Sequence, residues 1–171
     1  MAELYKAPDE VQALLSSLKA ANHNPRLLEA SVVVIFDDSK PFKKDRLNWG
    51  KVLKFSPLAR LFNTDHYDFA IQLPAMLFND VLNYEQRKAL LDLRLECCQV
   101  DYIPETKVEG NKKVVVTDEW GRTVYTEEMK RDENGVPCWK SVPLDLVTIT
   151  ANVRRFGCWC EDLVGLKEVM G

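Results

Sequence analysis

Histidine is scarce in this chain of 171 residues, which contains only His23 and His66. A serine or cysteine hydrolase needs a base close to its nucleophile, and neither histidine has a sequence context that suggests one. His23 is predicted in a loop at a helix end and His66 just before a strand, where an ordinary surface role is expected. The sequence therefore gives no support to histidine-based catalysis.

Long apolar runs are also missing. No segment reaches the roughly 20 apolar residues of a membrane-spanning helix, and the stretch from Met1 to Lys6 lacks the apolar core of a signal peptide. The five cysteines are odd in number and include the adjacent pair Cys97 and Cys98, unlike a secreted disulfide framework. We therefore expect a cytoplasmic protein with reduced thiols and no membrane partner.

The overall composition is that of an ordinary globular protein, with 46% hydrophobic and 29% charged residues. The formal net charge of −3 argues weakly against non-specific binding of nucleic acid. No internal repeat or low-complexity segment is present. The length is suited to one domain with a single substantial core, and we expect a single domain over 1–171.

The first hundred residues alternate between helical and strand patterns. Pro8 followed by two acids suits the first turn of a helix, and Asn83 with Gln86 forms a capping box. Helices are predicted from Pro8 to about Asn22, after Ser56, around Met76 and from Tyr84 to about Gln99, with strands at 31–36, 51–55 and 67–73 and a loop at 39–50.

The pattern changes at 101–137, which we expect to be a β-hairpin region. The β-rich runs 112–117 and 122–126 predict a hairpin around 118–121. Asn134-Gly135 predicts a second, tight turn of type I′.

A final helix is predicted to begin near Asp145 and to end at Gly157. Together these elements predict an α/β (α+β) fold with a small mixed sheet and packed helices.

Five segments, in order along the chain, resemble the phage metallopeptidase family. The resemblance implies a small zincin-like domain and a phage or prophage origin. In that family the helix continues after Ala-Leu-Leu-Asp as His-Glu-x-x-His, in which two histidines bind zinc and the glutamate takes a proton from water. The segments are Met1–Pro8, Lys54–Leu58, Tyr67–Ile71, Glu85–Asp92 and Val153–Trp159.

The residues that would perform this chemistry are replaced. Leu93 stands at the first histidine, Arg94 at the glutamate and Cys97 at the second histidine, while Leu144 stands at the last histidine ligand. Leucine cannot bind a metal, and arginine is not a base at neutral pH. The resemblance thus implies a catalytically inactive relative with no cofactor.

A displaced metal site is an alternative that would involve Cys97, Cys98, Cys138, Cys158 and Cys160. Structural zinc sites usually have two separated pairs of cysteines with two to four residues inside each pair. Here one pair is adjacent and the other has one intervening residue. Buried thiols that act as small apolar groups explain Cys97 and Cys98 better.

Two charged segments are candidate binding surfaces. Residues 40–54 carry Phe42 and Trp49 among six cations and could contact phosphate, although a solvated loop is the commoner explanation. The region 101–137 carries a net charge of −3 with interleaved aromatics, which is common in binding surfaces. The candidate partner-binding residues are Asp118, Glu119, Trp120, Tyr125, Glu127, Glu128, Asp132 and Glu133, and the cations of the other segment are Lys40, Lys43, Lys44, Arg46, Lys51 and Lys54.

These observations lead to the hypothesis of a phage protein that binds a host protein in the infected bacterial cell. The partner would belong to a defence system such as CRISPR, so that the chain would act as an anti-CRISPR or similar inhibitor. The alternatives are a metal-dependent hydrolase with a relocated site and an accessory factor that associates with nucleic acid.

Overall fold

Twelve strands and four α-helices make up the computed structural model, which describes residues 3–22 and 25–164. The strands are β1 (Tyr5–Lys6), β2 (Val32–Asp37), β3 (Phe42–Lys43), β4 (Arg46–Leu47), β5 (Lys51–Lys54), β6 (Phe69–Pro74), β7 (Cys98–Val100), β8 (Tyr102–Pro104), β9 (Thr106–Glu109), β10 (Lys112–Val115), β11 (Tyr125–Met129) and β12 (Trp139–Ser141). The helices are α1 (Asp9–Asn22), α2 (Pro57–Leu61), α3 (Tyr84–Glu96) and α4 (Leu146–Phe156), with a 3₁₀ turn at Pro25–Glu29 and a π turn at Leu77–Val81.

The chain divides into two compact units. The smaller unit is Gln99–Lys140, and the described residues of 1–98 and 141–171 form the larger one. The region 101–137, predicted as a hairpin region, lies inside the smaller unit. A mixed α/β architecture with small sheets and several helices is therefore confirmed, and the predicted single domain stays a prediction.

A four-stranded sheet with the order β1-β2-β6-β5 organises the larger unit. β2 and β6 run parallel, with Val32 opposite Phe69, and β5 pairs antiparallel with β6. Every residue of β6 is buried because this strand is central in the sheet. β5 is at an edge, with β6 as its partner on one side.

Helix α3 provides much of the apolar core of the larger unit. Its capping box forms as predicted, since Asn83 Oδ1 accepts a hydrogen bond from the N–H of Gln86 and the Gln86 side chain accepts one from the N–H of Asn83. The helix ends at Glu96 rather than near Gln99, because the chain turns at Cys97 and continues as strand β7. The buried apolar side chains of this helix are Ala89, Leu90, Leu91, Leu93 and Leu95.

Helix α4 begins and ends where the sequence predicts. Asp145 caps the N-terminus by accepting a hydrogen bond from the N–H of Thr148 at 2.9 Å. Gly157 ends the helix with φ +71°, a conformation that is easy for glycine. The caps keep this helix in place despite its β-branched residues, which have lower helix propensity.

Three predictions of local structure need correction. The polar segment 39–50, predicted as a loop, contains the short hairpin of β3 and β4. Strand β10 pairs along its length with β9, so the predicted hairpin around 118–121 is shorter than expected. It consists of the bridge between Thr117 and Thr123 and of hydrogen bonds from the N–H groups of Asp118 and Val124 to the carbonyl oxygens of Arg122 and Val116. In the second turn Gly135 has positive φ, whereas Asn134 is not among the described residues with positive φ, so the turn is not type I′.

Candidate functional site

The four positions that the resemblance assigns to zinc chemistry lie at the C-terminal half of α3 and in the segment that follows the smaller unit. Leu93 and Cys97 are one helical turn apart and fully buried, and the Cys97 thiol is 3.7 Å from the carbonyl oxygen of Leu93. The N–H of Val142 donates to the carbonyl oxygen of Cys97 at 2.9 Å. This bond brings the segment that contains half-buried Leu144 to the end of α3.

Arg94 is a structural residue in this arrangement. Its side chain is buried, and it donates from Nε to the carbonyl oxygen of Trp49 and from Nη2 to that of Gly50, both at 2.7 Å. Its Nη1 is 3.9 Å from the sulfur of Cys97. Burial lowers the pKa of the guanidinium, although the neighbouring thiols act in the opposite direction. The two hydrogen bonds of Arg94 thus hold α3 against the chain segment before β5.

The two adjacent thiols of this region are poorly suited to nucleophilic or ligand chemistry. Burial raises the pKa of Cys97, only partly offset by the positive charge and hydrogen bond of Arg94. Burial raises the pKa of Cys98 still more strongly. Because the thiolate is the reactive and metal-binding form, both side chains behave as small apolar groups.

A buried polar network joins α3 to α4. The carboxylate of Asp92 is fully buried and accepts hydrogen bonds from Asn152 at 2.9 Å and from Arg155 at 2.6 and 3.1 Å. Arg155 also forms an ion pair with Glu96. The indole N–H of Trp159 donates to the Asn152 side chain at 2.8 Å. These contacts fix the relative position of the two helices within the larger unit.

Sequence reasoning missed this network. Asn152, Arg155 and Trp159 recur at helical spacing around the end of α4, and this polar spacing was the available signal. The apolar residues Leu146, Ile149 and Val153 recur at helical spacing in the same segment and are the stronger pattern, so they mask the polar one.

The cysteines are not gathered into a metal centre in the described part of the chain. Within residues 3–22 and 25–164, no group of three or more His, Cys, Asp or Glu side chains is arranged to hold a metal ion. Cys160 is buried and Cys158 is half-buried in the larger unit, and Cys138 is half-buried in the smaller one.

His66 is exposed, as the sequence predicts. It has φ +51°, and its Nδ1 is 3.0 Å from the carbonyl oxygen of Arg60. It therefore belongs to a surface turn, and His23 is outside the described residues.

The predicted partner-binding residues lie on two turns and one strand of the smaller unit. We call 117–123 the tryptophan turn and 131–137 the asparagine-glycine turn. Strand β11 runs between them, so the two turns are at its opposite ends. The predicted surface is therefore divided, with Tyr125 near the first turn and Glu133 in the second.

Two of the predicted acids are used to shape these turns. Asp118 Oδ1 accepts hydrogen bonds from the N–H groups of Trp120 and Arg122, each at 2.9 Å. Asp132 Oδ1 accepts from the N–H groups of Asn134 and Val136. The other predicted residues are exposed, namely Glu119, Trp120, Tyr125, Glu127, Glu128 and Glu133.

Of the two aromatic residues in the set, Trp120 is more exposed than Tyr125. Its side chain is 70% exposed, and the guanidinium of Arg122 lies 4.9 Å from the centre of its ring. Arg122 is itself held by an ion pair with Asp118 at 3.0 Å. The tryptophan turn thus presents a large aromatic ring from an internally bonded loop.

The basic segment of the larger unit is on the surface. All six of its cations are exposed, as is Phe42, while Trp49 is half-buried with its ring 5.9 Å from that of Trp159. A cavity of about 280 Å³ lies beside this segment. Its lining combines apolar side chains with carboxylates and includes Phe42, Asp45, Leu47, Val81, Glu161 and Asp162.

Comparison with protein-family models, curated proteins and solved structures gave no match for this chain. Within the described residues, no helix has the length and apolar character needed to cross a membrane.

Proposed function

We propose that this chain is a catalytically inactive relative of the phage metallopeptidases that acts by binding a host protein. The partner is a component of a bacterial defence system such as CRISPR, and binding inhibits it. The observation that carries the proposal is the exposed ring of Trp120 on the internally bonded tryptophan turn.

The lack of peptidase chemistry is supported by the residues at the positions of the family motif. Leu93 offers no ligand atom, and the Cys97 thiol has a raised pKa. Arg94 points its guanidinium at two backbone carbonyls, so it neither binds a metal nor accepts a proton from water.

The binding role is supported by the physical properties of the tryptophan turn. Tryptophan is among the residues that contribute most to binding energy at protein interfaces. An exposed ring on a flexible loop would lose conformational freedom on binding, and this loss opposes association. Here Asp118 already orders the loop through its hydrogen bonds to Trp120 and Arg122, so the cost of ordering is reduced.

The net charge of −3 over 101–137 indicates what the partner surface offers. Glu119, Glu127 and Glu128 are exposed in the same unit. Interfaces match patches of opposite potential, which raises the rate of association. The expected partner surface is therefore a basic patch with an apolar recess that accepts the indole, as on a protein that binds nucleic acid.

The proposal is tested in bacteria whose CRISPR system blocks transformation by a targeted plasmid. Expression of the wild-type chain should restore transformation, and the Trp120→Ala variant should not. Loss of a central tryptophan costs about 2 kcal/mol, which corresponds to about 30-fold in affinity. The matched control is Phe62→Ala, which removes an aromatic that is 84% exposed in the larger unit and should keep full activity.

Two outcomes would contradict the proposal. Wild-type protein without effect on any defence system tested would remove the inhibitory role. Zinc-dependent hydrolysis of peptides by the purified protein, abolished by a chelator and by Cys97→Ala, would remove the inactive-enzyme part.

A further inference from the structure

The outer edge of strand β5 is unpaired in the described structure. Lys51, Val52, Leu53 and Lys54 pair antiparallel with β6, and β5 is the last strand of its sheet. The N–H of Phe55 donates to the carbonyl oxygen of Asp68 at 3.0 Å, which extends the same register by one residue. This bond decides which backbone groups of β5 point inward.

In an antiparallel pair, residues alternate between hydrogen-bonded and non-hydrogen-bonded positions. Since Phe55 is in a hydrogen-bonded pair, Leu53 and Lys51 are too, and they direct their backbone groups at β6. Val52 and Lys54 therefore direct their N–H and C=O groups away from the sheet. No backbone hydrogen bond from the described residues reaches these outward groups.

We propose that this edge binds an extended acidic segment of a partner protein, which adds to the sheet as a further strand beside β5. Strand addition is a common way for a sheet edge to recognise a peptide, with main-chain hydrogen bonds for affinity and side chains for specificity. The proposal does not depend on the function proposed above. It concerns the larger unit and an acidic partner segment, whereas the proposed function concerns the smaller unit and a basic partner surface.

The charges of the edge select the occupant. Lys51 and Lys54 are exposed at the two ends of the strand, and the adjacent segment adds exposed Lys40, Lys43 and Lys44. Like charges opposite each other on paired strands are destabilising, and lysines on an edge strand oppose pairing with a second copy of the same edge. An acidic strand is not repelled by these lysines and pairs its carboxylates with them instead.

The register of β5 also specifies the spacing of the acids. Residues on paired strands lie directly opposite each other, and Lys51 and Lys54 are three positions apart. Carboxylates three positions apart on the added strand can each face one lysine. The two residues between them lie opposite Val52, which is half-buried, and Leu53, which is 39% exposed. Apolar side chains therefore suit these two positions of the partner segment.

Single-stranded nucleic acid is a poorer fit for this edge. Proteins that bind it without sequence preference combine cations with aromatic rings on which bases stack. Near this edge Phe42 is exposed, but Trp49 is half-buried and packs on Trp159. The alternating free N–H and C=O groups of Val52 and Lys54 match a peptide backbone instead.

The experiment is a titration of isotope-labelled full-length protein with a blocked peptide of about eight residues. The peptide carries two glutamates three positions apart around valine and isoleucine, and a second peptide carries lysines in their place. Amide hydrogen exchange at Val52 and Lys54 reports strand addition, because only a paired backbone protects these outward N–H groups.

We expect the acidic peptide to bind and to slow exchange at Val52 and Lys54, while the lysine peptide does not bind. Reversal of both charges in Lys51→Glu/Lys54→Glu should weaken binding of the acidic peptide about tenfold or more and favour the lysine peptide. These side chains are exposed, so the variant should fold. The matched control is Lys112→Glu/Lys113→Glu, which reverses two exposed lysines of β10 in the smaller unit and should leave binding unchanged.

Three results would overturn the proposal. The first is no binding of the acidic peptide at millimolar concentration. The second is binding without protection of Val52 and Lys54, which would assign the contact to side chains elsewhere. The third is salt-dependent binding of an oligothymidine probe that competes with the peptide at this edge, which would assign the edge to nucleic acid.

Discussion

The two units of the chain differ in what they bury. The larger unit buries charged and polar side chains along with its apolar ones, including Asp37, Asp92, Arg94 and Asn152. The smaller unit buries only Val100, Met129 and Trp139 among Gln99–Lys140. Its strands β9 and β10 are exposed at every residue.

This difference separates residues that the fold requires from residues that can change with little effect on stability. A buried ion needs hydrogen-bonding or charged partners, so a change at one of these buried polar residues leaves its partners without theirs. An exposed strand has few such dependencies, and substitutions on it usually change stability by less than about 0.5 kcal/mol. The smaller unit can therefore vary its surface residues freely, and the larger one cannot vary its interior.

The strongest test of this contrast is Asp92→Ala. The variant leaves the buried amide of Asn152 and the partly exposed guanidinium of Arg155 without their shared acceptor, and it opens a void at a fully buried position. The free energy of unfolding should fall by about 3–4 kcal/mol. Urea unfolding followed by circular dichroism measures the change. The control Glu127→Ala removes an exposed carboxylate of β11 and should cost less than about 0.5 kcal/mol. Equal effects would break the contrast.

A pair of glycine substitutions tests backbone packing in each unit. Gly50 and Gly110 have φ +67° and +63°, so alanine is strained at both, by about 1 kcal/mol. A Cβ at Gly50 would also lie 2.0 Å from the carbonyl oxygen of Gln72, whereas at Gly110 it would meet nothing within 4 Å. Gly50→Ala should therefore destabilise by about 3 kcal/mol or more and Gly110→Ala by about 1 kcal/mol. Thermal unfolding of the two variants gives the comparison, and similar melting temperatures would contradict it.

The pH dependence of Asp37 provides a smaller effect. Burial acts to raise the pKa of this carboxyl, but hydrogen bonds from Ser39 and Gln72 outweigh it, and the pKa is lowered. Folding therefore favours the ionised form of Asp37. Its contribution to the free energy of unfolding is present above about pH 4 and is lost as the pH falls through the folded-state pKa.

Gln72→Leu should raise the pKa of Asp37 and lower the free energy of unfolding by about 1–2 kcal/mol at pH 7. The loss should shrink once Asp37 is protonated. Carboxyl NMR titration and urea unfolding at several pH values measure both changes. A loss of stability that stays the same while the NMR titration shows Asp37 becoming protonated would show that Gln72 acts only through packing.

The smallest effect is expected for Trp120→Ala. Because this side chain is 70% exposed, its removal should change the free energy of unfolding by less than about 0.5 kcal/mol. Chemical denaturation is the measurement, with Trp139→Ala as the comparison in the same unit. Trp139 is 5% exposed, and its loss should cost about 3 kcal/mol or more. A large loss in Trp120→Ala would mean that the ring supports the fold.

Local patterns in the sequence were enough to predict the helices and the central strands. The caps at Asn83 and Asp145 are hydrogen bonds within four residues, so their partners are adjacent in the sequence. The β-branched run of β2 predicts a buried strand for the same local reason.

Features that depend on distant partners were not predictable. β9 and β10 are exposed throughout, so no alternation of apolar residues specifies their register. The partners of Arg94 are backbone carbonyls about 45 positions earlier in the chain, and a carbonyl has no signature in the sequence. The position of β5 at a sheet edge follows from strand order, which is likewise non-local.

The hydrogen bond from Val142 to Cys97 has a consequence for how this protein can be redesigned. It joins the two points of the larger unit between which the whole smaller unit is inserted, with a separation of 2.9 Å between nitrogen and oxygen. A short connector between Cys98 and Ser141 could therefore replace 42 residues without stretching either end. The larger unit is in this sense a scaffold, into which a different small domain can be inserted at the same two positions.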